Sequence, residues 1–160
     1  MSEVSAIDLV LRVASEAQGA SEVPSNTNSG PFVERVLAGV GLKKGDPWCA
    51  AWVYDVGVKA LGARWPLPKT GGCAILGEFA TAKGILHEIP NVGDVFLIYH
   101  APLKRFGHTG FIVGPGNDTL SGNTSGAGSR EGWMVGRRTW TFGPQDRFVR
   151  WAELLKAGDR

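Results

Sequence analysis

The chain has 160 residues, which is enough for one domain with a hydrophobic core of its own. Hydrophobic residues make up 43% and charged residues 20% of the chain, as in ordinary globular proteins, and a net charge of +2 without a run of Lys or Arg argues against a nucleic-acid-binding protein. Two cysteines are too few for a disulfide framework, and no apolar stretch reaches membrane-spanning length, so we expect no membrane insertion.

The first residues do not resemble a secretory signal. Glu3 and Asp8 are acidic, and no basic segment followed by an apolar run is present. We therefore expect synthesis in the cytoplasm without a signal peptide. A target outside the cell would then need another export route.

Hydrophobic residues at helical spacing predict three helices in the first part of the chain. The first covers residues 5–18. After a loop rich in Gly, Ser, Asn and Pro, a second helix begins near Pro31. The third has Asp46 as its N-cap and Pro47 as its first residue, and it runs to about Leu61.

After residue 90 the pattern changes from helical to strand-like. A short helix is predicted just before, over residues 74–82, and a closing helical turn near the end of the chain. The predicted strands cover residues 94–99, 108–113, 119–123 and 133–142. Helices followed by strands indicate an α+β fold with an antiparallel sheet of about four to six strands, built as a single domain over residues 1–160.

Cys49 falls in the first turn of the third predicted helix. Unpaired backbone N–H groups and the positive end of the helix dipole favour a thiolate there, and a thiolate is a nucleophile. Trp52, Val53 and Val56 follow at helical spacing, so a small apolar residue on a buried face is the alternative reading. The helix alone leaves both interpretations open, because a nucleophilic cysteine also needs a base.

His108 is the best placed of the three histidines to supply that base, since it begins a predicted strand between two glycines. If the following turn pairs Val113 with Asp118, the antiparallel register places Asn123 opposite His108, with Cβ atoms roughly 5 Å apart. An amide oxygen at that distance accepts from one imidazole nitrogen and leaves the other for a thiol. A loop one residue shorter would place Thr124 there instead.

This order of a helical cysteine, a strand histidine and an asparagine on the next strand resembles the CHAP family of cysteine- and histidine-dependent amidohydrolases/peptidases, which are related to NlpC-type and papain-like enzymes. The resemblance lies in residues 48–53 (WCAAWV), 93–96 (GDVF), 107–112 (GHTGFI) and 122–124 (GNT). The upstream residues 28–30 (NSG) are also similar. The implied fold is papain-like or NlpC-type, with the cysteine at the start of a helix that packs on the sheet.

The resemblance implies a role for three residues. Cys49 would be the nucleophile, His108 the general base and acid, and Asn123 the residue that orients the imidazole. Asp94 and Asp118 remain alternatives for the third role, because acids and amides both occupy this position in such folds.

Further residues are candidates for contact with the substrate or the oxyanion. The backbone N–H of Cys49 is the natural oxyanion donor, and a second donor is expected from the preceding loop, where Asn26 and Asn28 are the candidates. We place Trp48 at the wall of the cleft and Thr109 beside the base.

We expect no metal ion and no cofactor. Cys49, Cys73 and His108 lack the spacing of zinc-ligand pairs, and no Asp-rich calcium loop is present. Cys73 either lines the cleft or packs beneath the loop before it, and packing is the simpler expectation.

The function implied by the resemblance is that of a cysteine-dependent peptidoglycan hydrolase, an amidase or endopeptidase that cleaves an amide bond through a thioester acyl-enzyme. Its partner would be a stem peptide or glycan-peptide of the cell wall, with an immunity or delivery protein as a further partner. It would act on the wall during phage lysis or after specialised secretion. The alternatives are an inactive member that binds the wall or a partner, and a thiol transamidase or peptidase that acts on protein.

Overall fold

The computed structural model describes residues 2–124 and 133–158, and within them it has five α-helices and a six-stranded antiparallel sheet. The helices are α1 (Glu3–Glu16), α2 (Pro31–Ala38), α3 (Cys49–Leu61), α4 (Cys73–Lys83) and α5 (Ala152–Gly158). The strands are β1 (Leu86–His87), β2 (Val95–His100), β3 (Arg105–Gly114), β4 (Asp118–Thr124), β5 (Met134–Thr139) and β6 (Arg147–Val149), in the order β1-β6-β2-β3-β4-β5. The predicted α+β class is confirmed. None of the described helices has the length and apolar character needed to cross a bilayer.

The first helix begins earlier than predicted. Ser2 is its N-cap, and the Ser2 hydroxyl accepts a hydrogen bond from the backbone N–H of Ser5 at 3.2 Å. The sequence pattern places Ile7, Val10, Leu11, Ala14 and Ala17 on one face of this helix; Val10 and Ala14 are fully buried, and the other three are half-buried. This face packs against α3, so the amphipathic pattern identified the buried side correctly although the start was displaced.

The central helix is α3, which packs against α1, α2 and the strands β3 and β4. The Trp52 ring meets the Phe111 ring of β3 edge-on, with centroids 5.7 Å apart. Gly122 of β4 allows the start of the helix to come close, because a Cβ at that position would lie 2.6 Å from the Trp48 ring. The beginning of α3 is thereby held against the two strands that carry the predicted base and its partner.

The β3–β4 hairpin differs from prediction at its turn and agrees with it further along. Gly114 pairs with Asp118, so the loop is one residue shorter than expected and the predicted Val113–Asp118 pair is wrong. An irregularity between Ile112 and Gly114 absorbs the extra residue. Away from the turn, Ile112 pairs with Thr119 and Phe111 with Leu120. These pairs have the register that the longer loop predicted.

The later strands are shorter and more numerous than predicted. The long strand expected over residues 133–142 is β5, which ends at Thr139, and its register against β4 shifts next to the pair of Gly136 with Ser121. Strands β1 and β6 were not predicted. β6 brings Phe148 to the second face of the sheet, where a small cluster contains Phe96 and Ile112.

Candidate active site

Cys49 is the first residue of α3, and its side chain is 4% exposed. The predicted cap is wrong in detail, because Trp48 occupies the N-cap position. Asp46 instead closes the preceding turn, where its carboxylate accepts from the backbone N–H of Lys43 at 3.1 Å. The expected setting remains, since the first N–H groups of a helix have no intrahelical acceptors and the helix dipole favours a negative charge beside them.

Three neighbours lower the pKa of the Cys49 thiol well below its ordinary value. The largest contribution is a hydrogen bond with the Cys73 thiol, and the others are His108 and the backbone N–H of Thr109. Burial acts in the opposite direction, because it disfavours the charged form, but it is outweighed. The site therefore stabilises a thiolate, which is the reactive form of cysteine.

His108 lies on β3, is 1% exposed, and has its ring fixed by neighbours. Its Nε2 is 3.1 Å from the hydroxyl of Ser121 on β4. The rings of Phe96 and Trp140 lie 5.9 and 5.8 Å from the imidazole, centroid to centroid. Because Nε2 is engaged by Ser121, Nδ1 is the nitrogen left for the Cys49 thiol, and it has no partner at close hydrogen-bonding geometry in the described part of the chain.

Ser121, which was not predicted, contacts the imidazole from β4, where the contact of Asn123 was predicted. The backbone of Asn123 lies in β4, while its side chain is outside the described residues. The register of β4 against β5 shifts between Ser121 and Thr124, which interrupts the alternation that would place Ser121 and Asn123 on one face. The contact of Ser121 with His108 was therefore not predictable from the hairpin register.

The two acidic alternatives for the third role are held elsewhere. Asp94 is 3% exposed and forms an ion pair with Arg150, with 3.0 Å between the charged atoms. Burial raises the pKa of Asp94, although Arg150 opposes this shift. Asp118 forms a two-pronged pair with Arg137, which raises the pKa of that guanidinium. Neither carboxylate contacts His108.

The predicted substrate and oxyanion candidates are mostly engaged in internal contacts. The Asn28 amide donates to the carbonyl of Gly45 at 3.2 Å, which ties two loops together. The Thr109 hydroxyl donates to the carbonyl of Phe96 at 2.7 Å, so only the backbone N–H of Thr109 reaches the thiol. Asn26 is exposed on the loop surface.

Trp48 has no exposed surface, so the prediction that it walls the cleft is wrong. Its indole N–H donates to Glu22 at 2.9 Å, and the other carboxylate oxygen of Glu22 accepts from the backbone N–H groups of Thr27 and Asn28. Glu22 is 3% exposed and was not identified from sequence, where it looks like an ordinary loop acid. It fastens the loop before α2 to the residue that precedes Cys49.

A cleft of about 340 Å³ opens at Cys49, which is within the range of small-molecule and peptide pockets. Its walls come from the start of α3, the loop before α4 and the start of β3. The lining residues include Pro47, Gly71, Gly72, Cys73, Ile75 and Arg105. Arg105 is the one charged side chain in that lining, and it has no acidic partner among the residues that the structure describes. Cys73 is thus both buried and at the cleft, which combines the two expectations for it.

The sulfurs of Cys49 and Cys73 are 3.8 Å apart, and neither cysteine forms a disulfide. Within residues 2–124 and 133–158, no group of three or more His, Cys, Asp or Glu side chains is arranged to hold a metal ion. The two thiols are therefore neighbours in the cleft without being part of a ligand cluster in the described chain.

Comparison with known proteins gives no match for this chain among family models, curated proteins or solved structures. What the site can do must be argued from its own residues. A buried thiol with a lowered pKa, a fixed imidazole and an adjacent cleft together can form and break an acyl–sulfur bond.

Proposed function

We propose that this protein is a cysteine-dependent amide hydrolase of the CHAP type, with a papain-like or NlpC-type arrangement, that acts on bacterial cell-wall peptidoglycan. The observation that carries the proposal is the lowered pKa of the Cys49 thiol at the start of α3, to which the buried His108 on β3 contributes. A serine in turn orients that histidine. Nucleophile, base and orienting group are the three parts that a thiol acyl transfer requires.

The first half of the reaction forms an acyl-enzyme. In the tautomer whose Nε2–H donates to Ser121, the lone pair of His108 Nδ1 accepts the proton of the Cys49 thiol. The thiolate attacks the amide carbonyl carbon. The backbone N–H of Cys49 donates a hydrogen bond that stabilises the negative charge developing on the oxygen. The imidazolium then gives its proton to the departing amine, and a thioester remains on Cys49.

The second half of the reaction releases the acid. A water molecule enters from the cleft, loses a proton to His108 and attacks the thioester carbonyl, so that the carbon–sulfur bond breaks. The rings of Phe96 and Trp140 limit the movement of the imidazole. The same ring position therefore serves the proton transfers of both halves.

The peptidoglycan substrate follows from the family resemblance, and the cleft is compatible with it. Gly72 and Gly107 line the cleft and carry no side chains that would obstruct a peptide backbone near the thiol. Arg105 offers a positive charge beside the reaction centre, and peptidoglycan stem peptides carry carboxylates that can pair with it.

The test is digestion of purified peptidoglycan, followed by mass spectrometry of the soluble fragments. We expect new amine and carboxylate ends from the protein as isolated, with the activity retained in chelator. Cys49→Ala and His108→Ala should abolish the release. His87→Ala is the matched control, because His87 contacts Glu153 on α5 and does not touch the cleft.

The outcomes separate this proposal from its rivals. Clearing of the wall by Cys49→Ala at the parent rate would refute the nucleophile assignment. Binding of peptidoglycan without new ends, from a protein whose thiol is unreactive at neutral pH, would indicate an inactive binding member. Transfer of the acyl group to an added amine, or cleavage of protein substrates alone, would indicate a transamidase or a protein peptidase.

A further inference from the structure

Two cysteines that are 24 positions apart in sequence meet at the base of the cleft. Cys49 is the first residue of α3, and Cys73 is the first residue of α4. Their sulfurs are 3.8 Å apart, and both side chains are at most 7% exposed while contributing to the cleft wall. The amide hydrolase proposed above needs only one thiol, so the second is unexplained by it.

We propose that Cys49 and Cys73 form a reversible redox pair, a site of oxidation that takes a small peroxide as its co-substrate and closes into a disulfide. A disulfide has an S–S length of about 2.05 Å, so the sulfurs must approach by roughly 1.8 Å from their present separation. Each sulfur is attached to its backbone through one rotatable Cα–Cβ bond, so rotation of the two side chains is the movement that would close this gap.

The position of Cys73 is set by the short loop before it. The backbone N–H of Gly72 donates to the hydroxyl of Thr70 at 3.0 Å. The carbonyl of Gly72 accepts from the N–H of Leu76, which starts the hydrogen-bond ladder of α4. The second thiol is thus held near the first in the reduced protein, where it can reach a sulfenic acid formed on Cys49.

The chemistry balances with hydrogen peroxide as oxidant. The Cys49 thiolate attacks one peroxide oxygen, hydroxide leaves, and Cys49 becomes a sulfenic acid. The Cys73 thiol then attacks the sulfenic sulfur, the disulfide forms, and water leaves. Two equivalents of an external thiol reverse the reaction. The groups that stabilise the Cys49 thiolate also make it the sulfur that is oxidised first.

Closure of the pair would remove the nucleophile of the proposed hydrolase. This consequence rests on the proposed function, whereas formation of the disulfide does not. The site would then be inactive under oxidising conditions and active after reduction. Cys73 would also protect Cys49 from the irreversible steps of oxidation, since a disulfide does not proceed to a sulfinic acid as an unpartnered sulfenic acid does.

The experiment is treatment of the full reduced chain with a small molar excess of hydrogen peroxide, read by intact mass and by non-reducing peptide mapping. We expect a loss of about 2 Da, a cross-linked peptide containing both cysteines, loss of both titratable thiols, and full recovery with dithiothreitol. A mass gain without the cross-linked peptide would overturn the proposal. None of these readouts depends on hydrolysis, so they stay decisive if the proposed function fails.

Cys73→Ser is the matched variant. At the same peroxide dose it should form no intrachain cross-link and should accumulate the sulfinic acid of Cys49, about 32 Da heavier, which dithiothreitol does not reverse. Recovery of the Cys49 thiol in this variant as complete as in the parent would contradict the protective role of Cys73.

Discussion

Removal of the Ser121 hydroxyl is expected to slow the reaction of the Cys49 thiol about 5- to 150-fold. In Ser121→Ala, the Nε2–H of His108 loses its acceptor in a setting where both side chains are at most 1% exposed. An unsatisfied buried donor costs about 1–3 kcal/mol. That penalty falls on the tautomer whose Nδ1 lone pair is available to the thiol, and on the imidazolium that forms after proton transfer. Since each 1.36 kcal/mol is about a tenfold change, the stated range follows.

The measurement is the rate of iodoacetamide labelling of Cys49, followed by mass spectrometry between about pH 5 and pH 9. This assay needs no substrate, so it tests the orientation of the imidazole directly. Thr119→Ala is the matched control, because Thr119 is also buried on β4 and its hydroxyl donates to the carbonyl of Arg138 instead of contacting His108. Labelling of Ser121→Ala at the parent rate, with a slow Asn123→Ala, would refute the role of Ser121 and return it to Asn123.

Three further predictions concern the thiolate, the cleft and the hairpin. Because the pKa of Cys49 is lowered, its thiolate persists as the pH falls below the ordinary thiol range. Cys49 should therefore alkylate faster than Cys73 at about pH 6–7. Equal rates would show that Cys49 is not activated. Arg105→Ala should raise KM about two- to fivefold for peptides with a free carboxylate and leave their amidated forms unchanged, whereas equal effects on both would exclude charge recognition. Gly110→Ala should lower the free energy of unfolding, measured in urea, by about 2 kcal/mol or more, because its Cβ would lie 2.4 Å from a backbone oxygen of β4. Gly143→Ala is the control and should have little effect, since the nearest atom to its Cβ would be 3.7 Å away.

The fold class was predictable because helix and strand periods are local signals. The apolar pattern of the second helix predicts Val33, Val36, Leu37 and Val40 as one buried stripe; the first three are buried, and Val40 is half-buried beyond the end of α2. Strands β1 and β6 were missed because two- and three-residue strands carry no readable period; their pairing to each other and to β2 defines them. Similarly, an Asp-Pro pair before an apolar run is typical of a helix start, and the helix begins at Cys49, two residues after Pro47, which is the displacement usual for helix ends.

The site was predictable to the level of the strands, and no further. The register close to the turn followed the prediction because a bulge compensated for the shorter loop, as the pairs Ile112–Thr119 and Phe111–Leu120 show. The choice between Ser121 and Asn123 depends on side-chain direction, which the register does not specify. The encounter of Cys49 with Cys73 depends on how α3 and α4 pack around the intervening loop, and no local pattern encodes that.

Cys73 has two roles at this site that are chemically separable. Its thiol is the largest of the influences that lower the pKa of Cys49, and this role needs only a hydrogen-bond donor. The redox role needs a sulfur at the same place. A serine at position 73 keeps a donor and loses the sulfur, whereas an alanine loses both. Labelling of Cys49 at low pH should therefore survive in Cys73→Ser and fall in Cys73→Ala, while protection against peroxide should be lost in both. If low-pH labelling fell equally in both variants, the sulfur of Cys73 itself, and not hydrogen bonding alone, would be what stabilises the Cys49 thiolate.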